Sequence, residues 1–223
     1  MLRRMAVALA DLADPVVFIG GAVVELLVTD DAAPAPRPTD DVDVVVEVTT
    51  FTEYARLAQH LRERGFREDT REGAPTCRWI LDDVTVDVMP APFNLLGFTS
   101  RWYAAAFSLA DVCPLGSQVS IRVPRAPVLL AMKLEAFASG ARGDLRESRD
   151  VEDVVALADG RESLVDEVRT APADLRAYVG ERVGALIRSP GFAEVVAGHL
   201  PGDPASQERV PLVLDRLRRI AGG

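Results

Sequence analysis

The chain has 223 residues, of which 48% are hydrophobic, and a formal net charge of -9 at pH 7. This charge argues against a long basic surface for non-specific DNA binding, and no apolar run reaches the ~18 residues that suggest a membrane span. The two cysteines, Cys77 and Cys113, match neither a disulfide framework nor a zinc pattern. We therefore expect reduced thiols and a cytoplasmic protein that does not enter the membrane.

The first half of the chain alternates strand and helix patterns, after an amphipathic segment that predicts an N-terminal helix. A short buried strand is expected at residues 15–19, and it runs through Gly20-Gly21 into a helix over 22–27. A Pro/Ala-rich loop follows at 31–38. The later elements are a strand at 41–48, a helix at 52–64 that stops at Gly65, two strands at 76–81 and 84–89 that form a hairpin around Asp82-Asp83, and a strand at 119–123.

The second half carries only helical patterns. They run over residues 127–141, 149–158, 162–170, 173–188 and 207–220, with breaks at Gly, Pro and Ser. The sequence therefore predicts an α/β (α+β) domain at 1–125, with a mixed β-sheet flanked by helices. An all-helical domain is expected at 126–223.

The strand at 41–48 begins with unusual negative charge, in the sequence Asp-Val-Asp-Val-Val-Val-Glu-Val. Side chains alternate across a strand, so the valines at even positions share one face and Asp41 and Asp43 share the other. The two aspartates are then about 7 Å apart along the strand. Asp40 has the parity of the valines and is expected in the loop that enters the strand.

The hairpin strand repeats this design, because Asp87 alternates with three valines. If this strand lies beside the first, Asp87 joins Asp41 and Asp43 as a third carboxylate. Three clustered carboxylates disfavour full ionisation unless cations lie between them, and Mg²⁺ prefers hard oxygen ligands. The alternative is that these aspartates form a solvated strand face and turn.

Gly20 and Gly21 lie where the first strand runs into a helix. Without Cβ atoms, the backbone there can approach a phosphate closely, next to free N–H donors of the helix N-terminus. A glycine pair is also common in a plain tight turn, so this signal alone leaves both interpretations open.

Lys133 is the one lysine among the 25 basic residues, and it lies in an almost wholly apolar helix. A position that kept lysine where arginine is used everywhere else is consistent with a need for a compact ammonium, for example to bind a triphosphate. The alternative is a lysine that extends along apolar surface or pairs with a nearby acid. Asp150 and Asp153, at the start of the next helix, are suited to N-terminal capping.

Together, Gly-Gly, Arg-x-Thr-x-Asp-x-Asp and a hydrophobic-Asp-hydrophobic strand resemble the nucleotidyltransferase superfamily with the DNA polymerase β-type palm. More narrowly, the chain resembles the AbiEii/MenT branch of bacterial nucleotidyltransferase toxins. The segment "MKLEAFASGARGDLRESRDVEDVVAL" is similar to the lysine helix and the following helix of that branch. The resemblance covers roughly residues 16–158.

The resemblance implies a nucleotidyltransferase fold and a role for each matching residue. Asp41, Asp43 and Asp87 would bind Mg²⁺, or Mn²⁺ in its place, and serve catalysis. The predicted nucleotide-binding residues are Gly20, Gly21, Arg37, Thr39 and Lys133, and Lys133 and Asp150 are also predicted to be catalytic. Asp150 would position Lys133 or the acceptor.

The activity that follows is transfer of a nucleoside monophosphate from an NTP to an acceptor hydroxyl. The toxin resemblance implies a tRNA 3′ end as acceptor and a cognate antitoxin protein as partner. A small molecule such as an antibiotic, or a protein side chain, fits the same chemistry. A non-catalytic nucleotide-binding protein on the same fold is the alternative from another class.

Overall fold

A computed structural model describes residues 1–10, 12, 15–92, 100–116, 118–140 and 144–222. The described chain forms two compact units. Unit 1 comprises Met1–Val23 and Pro38–Arg125, and unit 2 comprises Val24–Arg37 and Ala126–Gly223. The sequence analysis placed a domain boundary near residue 125 and assigned residues 24–37 to the first domain, and these domain bounds stay a prediction.

Among the residues described, unit 1 has a seven-stranded mixed sheet at its centre, which confirms the predicted fold class. Its strands are β1 (Val16–Ile19), β2 (Asp41–Val48), β3 (Arg67–Glu68), β4 (Arg78–Leu81), β5 (Val84–Pro92), β6 (Ala110–Pro114) and β7 (Ser120–Pro124). Their order across the sheet is β3-β4-β5-β2-β1-β7-β6. The β2–β5 and β1–β7 pairs are parallel, and the other neighbouring pairs are antiparallel.

The alternation predicted for β2 is present. Its four even-numbered valines, Val42, Val44, Val46 and Val48, are fully buried. On the opposite face, Asp41 and Asp43 are half-buried, while Glu47 is exposed. Burial of one apolar face therefore fixes the side to which the two aspartates project.

In the part of unit 1 that the structure describes, three α-helices accompany the sheet: α1 (Leu2–Leu9), α3 (Phe51–Glu63) and α4 (Tyr103–Ser108), with a 3₁₀ turn at Gly21–Val23. Helix α3 begins at a capping box, in which Thr50 accepts a hydrogen bond from the Glu53 backbone and the Glu53 side chain bonds back to Thr50. The predictions missed β3, α4 and β6, which have two, six and five residues. Elements this short carry too little periodicity to be recognised.

Unit 2 is helical throughout the residues described. Its helices are α2 (Val24–Leu27), α5 (Ala126–Ser139), α6 (Arg149–Gly160), α7 (Leu164–Thr170), α8 (Ala173–Ile187), α9 (Phe192–His199), α10 (Pro204–Gln207) and α11 (Val210–Ala221). The almost wholly apolar α5 packs against α6, α7 and α8. Across the described part of the chain, no helix combines the length and hydropathy needed to span a membrane.

Residues 24–37 belong to unit 2 because they pack on the C-terminal end of α6. The backbone N–H groups of Thr29 and Asp30 donate to the Gly160 carbonyl at 2.8 and 2.9 Å. Gly160 is required there, since a Cβ at this position would lie 2.8 Å from the Val28 side chain. These contacts join two segments that are more than 100 residues apart in sequence.

Arg209 holds this junction together through two carboxylates. Its Nη2 donates to Asp30 at 2.6 Å, and its Nε donates to the buried Asp159 at 2.7 Å. The hydrogen bond from Arg209 lowers the pKa of Asp30. Burial raises the pKa of Asp159 and outweighs the effect of Arg209 there. The hydrogen bond from Arg209 thus offsets part of the free-energy cost of burying the Asp159 carboxylate.

Replacing Arg209 should therefore destabilise unit 2. We expect Arg209→Ala to lower the free energy of unfolding by about 3 kcal/mol, because it removes the cation that is hydrogen-bonded to the buried Asp159 carboxylate. Urea denaturation followed by circular dichroism measures this loss. Arg219→Ala is the matched control on α11, since Arg219 is 58% exposed and 3.7 Å from Asp215. A control change larger than about 0.5 kcal/mol, or equal losses in both variants, would contradict this account.

Candidate active site

The parallel pairing of β2 and β5 puts two carboxylates side by side. In this register Asp43 is opposite Asp87, and Asp41 is opposite Thr85. Asp41 and Asp43 project from the same face of β2, and Asp87 is only 9% exposed. The third aspartate therefore lies on the neighbouring strand at the level of Asp43, as the matching alternation predicted.

Gly20 directly follows β1 and closely approaches Asp43. Its φ is +75°, which favours glycine, and a Cβ there would lie 1.9 Å from Asp43 Oδ2. The reason for glycine at position 20 is thus the carboxylate beside it as well as the turn. Gly21 begins the 3₁₀ turn Gly21–Val23 and does not have a positive φ.

Thr39, predicted to bind nucleotide, contacts the first aspartate of the pair. Its Oγ1 donates a 2.6 Å hydrogen bond to Asp41 Oδ1. The hydroxyl therefore orients the Asp41 carboxylate at the point where the loop enters β2.

Arg78 is a site residue that the sequence analysis missed. It is the antiparallel partner of Asp87 in the β4–β5 hairpin. Its Nε donates to Asp87 Oδ1 and its Nη2 to Asp87 Oδ2, both at 2.8 Å. The planar guanidinium thus binds both carboxylate oxygens at once, which is the strongest geometry for such a pair.

The negative charge of this face changes the pKa values of two neighbouring residues, Arg78 and Cys77. The hydrogen bonds to Asp87 raise the pKa of the Arg78 guanidinium further above its usual range. Burial, and next the charge of Asp87, raise the pKa of the Cys77 thiol to about 12. Cys77 is therefore protonated and inert at neutral pH.

The three aspartates offer the hard oxygen donors that Mg²⁺ prefers, and their strand positions place them on one face. Their side chains are nevertheless turned to other partners, Asp87 to Arg78 and Asp41 to Thr39. Within the described ranges, no group of three His, Cys, Asp or Glu side chains is arranged to hold a metal ion. The residues fit a metal site by donor type and strand register, and Arg78 competes for one of the three carboxylates.

Lys133 lies in a second charged cluster, which belongs to unit 2. Its Nζ is 3.1 Å from Asp150 Oδ1 and 2.7 Å from Asp153 Oδ2. The lysine side chain is 12% exposed. Burial alone would lower its pKa, but the charges of Asp153 and Asp150 outweigh burial and raise it. Lys133 is therefore a cation with two carboxylate partners, as one of the two interpretations of the sequence anticipated.

Arg37 extends this cluster. Its Nε is 3.1 Å from Glu152 Oε2, and its Nη2 is 3.8 Å from Asp153 Oδ2. Asp153 thus lies between the only lysine of the chain and Arg37. The predicted nucleotide-binding residues Arg37 and Thr39 contact different carboxylates, Arg37 in unit 2 and Thr39 in unit 1.

The capping role considered for Asp150 and Asp153 is wrong. The N-cap of α6 is Ser148, whose side chain accepts a 3.3 Å hydrogen bond from the Val151 N–H. Asp150 lies in the first helical turn, and Asp153 follows one turn later on the same face. Both carboxylates are therefore free of capping and are directed at Lys133 instead.

The sequence matches the family model described as nucleotidyl transferase AbiEii toxin, type IV toxin–antitoxin system, over residues 2–219. The chain belongs to this AbiEii family. It is therefore a nucleotidyltransferase of a toxin–antitoxin family, and the resemblance found in the sequence is confirmed. No curated protein sequence is significantly similar to the chain.

Solved structures of nucleotidyltransferase-like proteins are similar to this AbiEii-family chain. A candidate nucleotidyltransferase of Helicobacter pylori has a TM-score of 0.50 and 14% identity, with 99% of this chain and 90% of that chain covered. The antibiotic-resistance factor ANT(2'')-Ia has a TM-score of 0.49 and 14% identity, covering 83% and 92%. A nucleotidyltransferase-like antigen of Paracoccidioides brasiliensis has a TM-score of 0.49 and 18% identity, with 87% of this chain and 89% of that chain covered. At 14% identity, the Helicobacter pylori structure shares the fold.

The close approach of Gly20 to Asp43 can be tested against another left-handed glycine. Gly73 has φ +82°, and among the described residues nothing lies within 4 Å of the position that a Cβ would take there. Alanine at either position should cost about 1 kcal/mol through backbone strain. Only Gly20→Ala also has to displace the Asp43 carboxylate, so we expect it to lose most transferase activity while Gly73→Ala keeps it. Equal activity in the two variants would show that the contact with Asp43 is unimportant.

Substitutions of Asp153 and Asp150 should have different effects, the first mainly on the free energy of unfolding and the second mainly on the transfer rate. Asp153 is 2% exposed and contacts both Lys133 and Arg37, so Asp153→Asn should lower the free energy of unfolding by about 2 kcal/mol. The Asp150 side chain is 30% exposed. Asp150→Asn should cost less than about 1 kcal/mol but lower the transfer rate. Chemical denaturation and initial rates measure the two effects, and a wild-type rate in Asp150→Asn would remove Asp150 from the site.

Proposed function

We propose that this AbiEii-family nucleotidyltransferase transfers a nucleoside monophosphate from an NTP to the 3′ hydroxyl of a tRNA, with release of pyrophosphate and with Mg²⁺ or Mn²⁺ as cofactor. The observation that carries the proposal is the register of β2 and β5, which puts Asp43 beside Asp87 with Asp41 on the same face. The family match supports the type of reaction and its toxin context.

Asp41, Asp43 and Asp87 would hold the metal. When bound, Mg²⁺ neutralises negative charge and orients phosphate oxygens for in-line displacement. The register of the strands supports this assignment because it places Asp43 opposite Asp87 and leaves Asp41 on the same face of the sheet. Asp87 would also accept the proton of the attacking hydroxyl, which requires its oxygens to be released by Arg78.

Gly20 and Gly21 would bind phosphate through the backbone that follows β1. Gly20 follows β1 in a left-handed conformation and Gly21 begins a 3₁₀ turn, so the backbone without Cβ atoms could approach a phosphate closely there. Thr39 would keep Asp41 in the orientation set by its 2.6 Å hydrogen bond. Catalysis would then consist mainly of positioning and charge stabilisation.

Lys133 would neutralise phosphate charge, and Asp150 would position Lys133. The raised pKa of Lys133 supports a permanent cation, and its contact with the partly exposed Asp150 leaves one carboxylate partner that solvent and ligands can reach. Arg37, which contacts Glu152 and Asp153, would support the lysine through their shared carboxylate, Asp153.

The acceptor is tested by tracing label. The protein is incubated with each α-labelled NTP and Mg²⁺, in parallel with total tRNA, with a metabolite extract that includes aminoglycosides, and with a protein extract. Label in tRNA that is lost on removal of the 3′ terminal nucleotide supports the proposal. Label in a small molecule or protein replaces the tRNA acceptor, and no transfer with any acceptor would indicate a nucleotide-binding protein. A cognate antitoxin, if encoded next to this chain, should suppress the transfer.

The metal assignment predicts a contrast between two neighbouring aspartates. Asp43→Asn should lower the transfer rate by at least about 100-fold, because it removes a charged oxygen from the centre of the site. Asp40→Asn is the matched control, since exposed Asp40 precedes β2 and should change the rate less than about twofold. Initial rates across a range of Mg²⁺ concentrations measure both. Wild-type kinetics in Asp43→Asn would overturn the assignment.

A further inference from the structure

Three neighbouring strands carry a row of charges at one level of the sheet. Arg78 on β4 is opposite Asp87 on β5, and Asp87 is opposite Asp43 on β2. Neighbouring strands are about 4.8 Å apart, so Asp87 has a cation on one flank and a like charge on the other. Like charges directly opposite each other on neighbouring strands are destabilising, and the arginine offsets this cost.

The arginine binds Asp87 in the way that a bound cation would. Its two nitrogens contact the two carboxylate oxygens at 2.8 Å each, so neither oxygen of Asp87 is left without a cationic partner. The Asp87 side chain is 12% exposed and that of Arg78 is 26% exposed. A bidentate pair in such a partly buried setting is strong, because solvent screens it poorly.

We propose that Arg78 is an internal counter-ion of Asp87 that a divalent cation must displace in order to use this carboxylate. The proposal rests on the proposed metal site at Asp41, Asp43 and Asp87. Arg78 then stabilises the metal-free protein and weakens its apparent affinity for divalent ions. A residue that instead oriented Asp87 toward the metal would strengthen that affinity, so the two roles have opposite signs.

The structure provides a matched control for the removal of Arg78. Arg71 makes the same kind of bidentate pair with Asp69, through Nε at 2.8 Å and Nη2 at 2.6 Å. Asp69 is not among the three aspartates of the site, and the Arg71 side chain is 71% exposed. A change of Arg71 to glutamine therefore removes a similar pair and the same charge without freeing a proposed metal ligand.

The test is a Mn²⁺ titration of the full chain, with free Mn²⁺ measured by electron paramagnetic resonance. Arg78→Gln should lower the apparent Kd of the tightest Mn²⁺ about tenfold, because the ion no longer competes with a charge-assisted hydrogen-bonded pair. Arg71→Gln should leave the Kd unchanged. Arg78→Lys keeps the positive charge but cannot bind both carboxylate oxygens through a planar guanidinium. Its apparent Kd for Mn²⁺ should therefore lie between those of Arg78→Gln and the wild type.

Thermal unfolding supplies a second measurement. Without metal, Arg78→Gln should melt below the wild type, and saturating Mn²⁺ should raise its melting temperature by more than that of the wild type. If Arg78→Gln does not fold without metal, its refolding in Mn²⁺ and the Kd of Arg78→Lys still test the competition. If both Arg78 variants bind Mn²⁺ as tightly as the wild type or more weakly, the inference about Arg78 is wrong, while the proposed metal site stands. Absence of Mn²⁺ binding in every protein overturns it together with the proposed metal site.

Discussion

Repulsion between Asp43 and Asp87 is the constraint around which unit 1 is organised. The parallel register of β2 and β5 places these carboxylates next to each other, on two strands whose valines on the opposite face are buried. A slip by one residue would relieve the repulsion, but it would also expose the valines of β2 to water. The hydrophobic effect therefore holds the carboxylates in an arrangement that their own charges oppose.

Neighbouring residues make this arrangement tolerable. Arg78 neutralises Asp87, Thr39 donates to Asp41, and Gly20 leaves room for the Asp43 carboxylate. Each of these three residues is suited to the aspartate beside it. An arginine, a threonine and a glycine therefore lie close to the three carboxylates. The acidic start of β2 is tolerated beside Asp87 because β4, the loop before β2 and the turn after β1 each accommodate one of the three carboxylates.

The sequence predicted this strand well because its signal is local and strong. Alternating valines over Asp41–Val48 allowed only one assignment of faces, and both the bounds and the burial agree with it. Arg78 could also have been found, since a turn at Asp82-Asp83 pairs residue 78 with residue 87. The helix Phe192–His199 was missed because Ser189-Pro190-Gly191 interrupts the pattern just before it.

The environment of Lys133 could be predicted only in part. The sequence placed Asp150 and Asp153 near the start of the next helix, but capping explained them equally well until Ser148 proved to be the cap. Arg37 could not be assigned to this cluster from local patterns, because its contacts depend on how residues 24–37 pack against α6. The retention of lysine now has a structural reason too, since a compact ammonium fits between two carboxylates with little exposure.

Unit 2 is built from two pieces of chain that are separated in sequence by most strands of the unit 1 sheet. During synthesis, residues 24–37 emerge long before α6 and α11. Asp30 can therefore form its hydrogen bonds to Gly160 and Arg209 only after those later residues have been synthesised. A fragment that starts at residue 126 would leave Arg209 without Asp30 and the buried Asp153 without Arg37. The helical half of this chain therefore lacks these two ion pairs without residues 24–37, and all of its contacts can form only after Arg209 has left the ribosome.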